Sequence, residues 1–195
     1  MKHGLYESWK KVLNPELLQE NLLFVSMFVV VYEMLEDSVV SKIKDFYFEG
    51  IDIGGETTSS RYQTEVKALN RSPVYASLLW LMENGVIDEK DKALFEQVKF
   101  LRNKIVHELP KLLMTEGVPP DLDQNFTNAI YLLEKIERWW LVNVEMEVNP
   151  EWEDRQVDPN SVTPGSVWML KLLLEVASGK TEYHDEFKKF CEASR

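Results

Sequence analysis

The chain has 195 residues and a formal net charge of -11 at pH 7. Hydrophobic residues make up 45% of it and aromatic residues 11%, which is enough to build the buried core of one domain. The acidic balance argues against a protein that coats nucleic acid non-specifically, because neutralising phosphates requires a basic surface. The single cysteine, Cys191, excludes an intrachain disulfide and a cluster of thiolate metal ligands.

Hydropathy at the start of the chain points away from secretion and from membrane insertion. Residues 1–9 lack the apolar core of a signal peptide, so we expect a cytoplasmic location by default. The most apolar run, residues 22–32, is shorter than the about 20 residues that span a bilayer. Residues 29–31 would also suit a strand, but the apolar side chains that follow at four-residue steps favour a helix.

The first half of the chain predicts a long helix, a loop and two shorter helices. Asn14-Pro15, a cap residue followed by a first-turn proline, predicts a helix over residues 16–48. The glycines, serines and threonines of residues 49–60 predict a flexible surface loop. A short helix over residues 62–69 and another over residues 73–84, closed by Gly85, follow.

A capping pattern marks the start of the next helix. Asp88, with Asp91 three residues later, predicts a capping box. Pro110 is expected to stop or kink the helix. One buried stripe is predicted between these points, formed by Leu94, Val98, Leu101 and Ile105.

The second half of the chain predicts two further amphipathic helices. After a loop at residues 116–120, the apolar spacing predicts a helix over residues 121–144. Its Trp139-Trp140 pair would suit base stacking. Adjacent side chains point apart on a helix, however, so at least one of the two is core, and packing is favoured for both.

Residues 147–163 predict a connector without a hydrophobic period, and Thr163-Pro164 predicts the start of a last helix that ends at Gly179. His184, in the tail, stands beside two carboxylates. Because no second histidine is near, we interpret this tail as a solvated helix and not as a metal site.

Together these elements predict an all-α fold, an antiparallel helical bundle over residues 1–146. Residues 147–195 are expected to form the connector and a C-terminal helical extension that packs on the bundle. The sequence contains no serine elbow, no His-Glu-x-x-His and no dinucleotide-binding glycine pattern. No cofactor and no metal are therefore predicted.

A candidate site lies late in the helix that begins after Asp88. On that helix Asn103 and His107 share a face, whereas Arg102 lies about 140° around the axis from His107 and roughly 7.5 Å back along it. One helix alone aligns these groups poorly. If the segment packs against a copy of itself about a two-fold axis, the arginines and histidines of both copies converge in one cleft.

Such a cleft suits RNA cleavage. A neutral imidazole takes the proton from a ribose 2'-OH, and an imidazolium protonates the 5'-oxygen leaving group. A guanidinium holds the phosphate with two parallel donors while charge builds on it. No metal is required for this chemistry.

The run Arg102-Asn103-Lys104-Ile105-Val106-His107 resembles the motif of the HEPN superfamily in its shortest spacing. The resemblance implies a small helical domain that forms a homodimer. It also implies a metal-independent endoribonuclease of toxin, phage-defence or RNA-processing type, with RNA as substrate and with an antitoxin or another complex partner. Leu109 stands where one subgroup carries a modifiable tyrosine, so regulation by nucleotidyl transfer to that position is not expected.

The resemblance assigns roles to three residues. His107 becomes the general acid and base, Arg102 the phosphate clamp, and Asn103 the group that positions His107 or the scissile ribose. The alternative for His107 is a residue that caps the carbonyls at the end of its helix.

Acidic residues of the long first helix provide a fourth candidate. Glu36, or Glu33 one turn earlier, could reach the site and orient one of its members. The alternative is a solvated face, or ion pairs to nearby lysines.

The competing function is a non-catalytic, acidic HEPN-like module that binds a protein or a small ligand. The strong negative charge of the chain and the lack of a basic RNA track favour it.

Overall fold

The computed structural model describes residues 14–52, 55–112, 118–149, 158 and 161–179, with the backbone alone for strand residues 51, 52 and 55–58. Within this part the protein is all-α apart from one β-hairpin, which confirms the predicted fold class. The predictions for the N-terminus, for most of the connector and for the tail that contains His184 and Cys191 lie outside the described residues.

Helix α1 spans Pro15–Phe46 and contributes more of the core than any other described helix. The Asn14 side chain accepts hydrogen bonds from the backbone N–H groups of Glu16 and Leu17 (3.1 and 3.3 Å), as expected of a cap residue. Residues 29–31 lie in the middle of this helix, so the helical interpretation of the apolar run is confirmed and the strand alternative is wrong.

A hairpin follows α1 where the sequence predicts a loop. Strand β1, Phe48–Asp52, pairs antiparallel with strand β2, Gly55–Thr58. The loop prediction is wrong because it counts the polar composition and overlooks the β-branched residues of β2, which suit an extended backbone. The Ser59 N–H donates to the Tyr47 carbonyl (2.8 Å) and closes the base of the hairpin.

Three helical segments connect the hairpin to the site-bearing helix. Helix α2, Ser60–Tyr62, runs into a π-helical turn at Gln63–Lys67. Helix α3 spans Pro73–Glu83. Gly85 follows it with a φ of +70°, a conformation that glycine adopts without strain.

Helix α4 spans Glu89–Lys111 and starts with the predicted capping box, in which Asp88 and Asp91 each accept from the backbone N–H of the other (both 2.9 Å). Pro110 is predicted to stop or kink the helix, and the helix runs through this residue but ends at Lys111, one residue later. Proline removes a single donor, and the Leu112 N–H already bonds back to the Glu108 carbonyl.

Helix α5 spans Leu122–Trp140 and continues through a π-helical turn at Leu141–Glu145 and the short α6 at Met146–Val148. Helix α7 spans Gly165–Ala177. These bounds match the predicted helices within a few residues.

Ring and ion-pair contacts fix the helix directions. Phe24 packs on Phe126 near the starts of α1 and α5, and Phe46 packs on Trp140 near their ends (centroid distances 5.5 and 5.8 Å), so these two helices are parallel. Asp91 at the start of α4 pairs with Lys135 late in α5, so α4 runs antiparallel to both.

The core lies between α1, α3, α4 and α5. The predicted stripe of α4 is buried at Val98, Leu101 and Ile105, whereas Leu94 is only partly buried. Trp140 is buried and stacks on Trp80 at 5.9 Å with an interplanar angle of 8°. The packing interpretation of Trp140 is therefore confirmed.

Helix α7 packs against α5 and α1 through a buried polar contact. The Ser166 hydroxyl donates to the carboxylate of Glu137 (2.6 Å), which is buried and also lies 3.0 Å from the Lys42 ammonium. Burial lowers the pKa of Lys42, but the hydrogen bonds and charges of Glu137 and Glu145 outweigh this effect, so its pKa is raised. This contact helps to hold α7, the last described helix, against the bundle.

None of the described helices combines the length and the hydropathy that crossing a bilayer would require.

We predict that Asp91→Ala lowers the free energy of unfolding by about 2 kcal/mol, because it removes a cap and leaves the Lys135 ammonium without its buried partner. Asp91 is 3% exposed and lies 2.6 Å from Lys135. Urea denaturation measures the change. Glu89→Ala, on the exposed side of the same turn, is the matched control, and an equal loss in both variants would contradict the assignment.

Candidate functional site

The Arg102 guanidinium lies between α1 and α4 and pairs with Glu33. Its Nε donates to Glu33 Oε1 at 3.1 Å, and its Nη2 donates to the same oxygen. The arginine side chain is 27% exposed and the glutamate side chain 52% exposed, so the pair is open to solvent on the carboxylate side. Because the helices are antiparallel, the pair links the middle of α1 to the second half of α4.

The aromatic ring of Tyr32 lies beneath the guanidinium of this ion pair. The Arg102 Cζ lies 5.2 Å from the centre of the Tyr32 ring, within the range of a cation–π interaction. Burial raises the pKa of the Tyr32 phenol, and its hydrogen bond to the Glu36 carboxylate raises it further. Tyr32 therefore stays a neutral donor to Glu36 at physiological pH, and its ring face remains available to the guanidinium.

Asn103 contacts Arg102 and not His107. The Asn103 Oδ1 accepts a hydrogen bond from Arg102 Nη1 at 3.2 Å. Its amide therefore helps to orient the arginine.

His107 lies one and a half turns beyond Arg102 and is exposed to solvent. No described residue makes a hydrogen bond or an ion pair with its imidazole. The helix-capping alternative for His107 thus finds no contact in the described part of the chain. The imidazole and the guanidinium of one chain do not converge, because they lie on different faces of α4.

Arg102 keeps donors for a ligand. A guanidinium has five N–H donors, and three of them are used in the bonds to Glu33 and Asn103. Five minus three leaves two that no described residue accepts, and the side chain is partly open to solvent. This is the number that bidentate binding of a phosphate needs.

An acidic groove adjoins the ion pair. Glu33, Glu36 and Asp37 of α1 line it together with Pro73 and Val74 at the start of α3, and its volume is about 650 Å³. A phosphate that approaches Arg102 from this side meets three carboxylates, so an anionic ligand must enter from the α4 side. The neighbouring Lys99 lies on that helix, over the ring of Tyr75 (4.9 Å).

The structure thus brings Arg102, Asn103 and Glu33 together and leaves His107 apart. Glu36 is one turn further along α1, where its carboxylate raises the pKa of the Tyr32 phenol. Glu33 is among the residues that the sequence indicates for the site, whereas Tyr32 is not, because its place in the apolar run of α1 indicates a core residue. Only the neighbouring helix reveals that its ring carries the guanidinium.

Comparisons with protein-family models, with curated proteins and with solved structures find no match to this chain. Among the described residues, no group of three or more histidine, cysteine, aspartate or glutamate side chains is arranged to hold a metal ion.

A double-mutant cycle tests the ion pair. We expect Glu33→Gln and Arg102→Gln to be coupled by about 0.5 to 1 kcal/mol in the free energy of unfolding, because the pair is partly screened by water. Urea denaturation of the wild type, both single variants and the double variant gives this number. The coupling should shrink in high salt, and strictly additive effects would show that the two groups do not interact in solution.

Proposed function

We propose that this protein is a HEPN-like, metal-independent endoribonuclease whose active site is completed by a second copy of the chain. The observation that carries the proposal is the set of hydrogen bonds that Arg102 makes. Glu33 and Asn103 hold the guanidinium in place and leave two of its N–H donors for a phosphate. His107, exposed on the same helix, supports it as a group that a substrate can reach.

In the proposed reaction the His107 imidazole takes the proton of a ribose 2'-OH. The 2'-oxygen attacks the adjacent phosphorus, and the bond between phosphorus and the 5'-oxygen breaks. An imidazolium, from His107 or from its copy in the partner protomer, returns a proton to the leaving oxygen. The products are a 2',3'-cyclic phosphate and a 5'-hydroxyl end.

Each remaining side chain has a role in this scheme. Arg102 binds the non-bridging phosphate oxygens as negative charge builds on them. Glu33 and Asn103 are positioning residues, since they fix the guanidinium and do not reach His107. Tyr32 provides a buried surface beneath the guanidinium, and Glu36, one turn away on α1, raises the pKa of its phenol.

The two-fold arrangement is part of the proposal because one protomer separates the required groups. His107 and Arg102 lie on different faces of α4, about 7.5 Å apart along its axis. A second α4 packed alongside would bring the histidine of one protomer toward the arginine of the other. The toxin or defence context, with an antitoxin or another partner, rests on the family resemblance alone.

A second function is favoured by the acidic groove. Three carboxylates beside Arg102 and a net charge of -11 oppose RNA and suit a basic ligand. In this alternative the protein is a non-catalytic module, and Arg102 and Glu33 are a structural pair. Filter binding of single-stranded RNA at low salt separates the two functions, because the module should bind none.

We predict that His107→Ala reduces cleavage of a mixed-sequence single-stranded RNA by at least about 100-fold in the presence of EDTA, because it removes the general acid and base. Gel analysis of the fragments, with detection of 2',3'-cyclic phosphate ends, measures the rate. Gln97→Ala, also exposed on α4, is the control and should keep full activity. A wild type that cleaves no RNA, or a His107 variant that matches it, would exclude the nuclease.

A mixing experiment tests the shared site. Purified Arg102→Ala and His107→Ala proteins should each be inactive, but after subunit exchange an equimolar mixture should recover roughly a quarter of wild-type activity. After exchange, half of the dimers contain one variant of each kind. Each mixed dimer has one intact site, which joins Arg102 of the His107→Ala protomer to His107 of the Arg102→Ala protomer, and one site that lacks both groups. A mixture that stays inactive although exchange is demonstrated would show that both groups act from the same protomer.

A further inference from the structure

A second groove lies between α4 and the start of α5, and none of its lining residues belongs to the Arg102 cluster. It has a volume of about 570 Å³. Phe100 and Glu96 line it from α4, and Asp121 and Asn125 line it from the start of α5. Its remaining lining residues are Ala93, Gln97 and Gln124.

Asn125 carries an unmet hydrogen-bond acceptor in this groove. The residue is 6% exposed, and its Oδ1 is buried with no donor among the described residues. Its Nδ2 donates to the Asp121 carbonyl at 2.8 Å, which fixes the amide. A buried acceptor without a partner is costly, so the groove favours a ligand that brings an N–H donor.

Phe100 provides an open aromatic face at the edge of the groove. Its side chain is 72% exposed, more than any other aromatic residue that the structure describes. Covering the exposed ring with a partner would remove apolar surface from water, which is favourable. Planar cations stack on such rings.

The charges of the groove are all negative. Glu96 and Asp121 are exposed, and neither forms an ion pair within the described part of the chain. Asp121 occupies the cap position of α5, yet its side chain makes no capping hydrogen bond, so its carboxylate is available. No lysine or arginine is among the lining residues.

We propose that this groove binds an arginine side chain presented by an extended segment of a partner protein. The guanidinium stacks on Phe100, its N–H groups pair with Glu96 and Asp121, and one donor reaches Asn125 Oδ1. Arginine fits better than lysine, because its planar group combines stacking with several directed donors. The site does not depend on the proposed nuclease activity.

A peptide titration tests this site on the full chain. The probe is a short glycine-serine peptide with a central arginine, compared with its citrulline and lysine analogues, and binding is followed by NMR of the side-chain amides. The arginine peptide should shift the Asn125 amide signals in a saturable way. Citrulline, which is neutral, should weaken binding about tenfold, and lysine should weaken it about fivefold.

Variants place the binding in the groove. Phe100→Ala should reduce the affinity about three- to fivefold through loss of stacking, and the double variant Glu96→Gln with Asp121→Asn should reduce it about tenfold. The matched control is Asp45→Asn with Glu147→Gln, which removes two exposed carboxylates from the far end of the bundle and should change nothing.

Three outcomes would overturn the proposal. One is the absence of any shift in the Asn125 amide. Another is equal binding of the arginine, lysine and citrulline peptides. The third is an equal loss of affinity in the groove and control double variants, which would mean that the peptide follows the net negative charge of the whole protein.

Discussion

Burial of one face of α1 against three other helices is the constraint on which the rest of the structure depends. Phe28, Val31, Leu35 and Val39 are inaccessible to solvent, and burying such side chains contributes roughly 1.5 to 3 kcal/mol each. This burial fixes the rotation of α1 about its own axis. Because Tyr32 lies on this buried face, the next residue, the glutamate that pairs with Arg102, emerges beside α4.

The candidate site therefore results from helix packing more than from a local motif. The core of α4 sets the angle at which Arg102 leaves its helix, and the core of α1 sets the place of Tyr32. The guanidinium lies where these two faces meet. The His107 side chain, by contrast, is exposed and makes no hydrogen bond or ion pair with a described residue.

Acidic side chains have two distinct roles in this protein. Buried or half-buried carboxylates such as Asp91 and Glu137 each have a lysine partner and hold helices together. The exposed carboxylates beside the two grooves, for example Asp37 and Asp121, have no such partner among the described residues. The acidic residues behind the net charge of -11 thus serve partly in structural ion pairs and partly on surfaces that attract cations. Neither role provides a basic surface along which RNA could bind.

The sequence by itself determined the all-α class and the helix starts, because caps such as Asn14 and the Asp88 box act over three or four residues. Strand pairing in the hairpin depends on a partner segment, which explains why composition indicated a loop there. The contact of Arg102 with α1 joins residues 69 positions apart. Only the tertiary structure decided these features, because local spacing carries no information about which faces of distant helices meet.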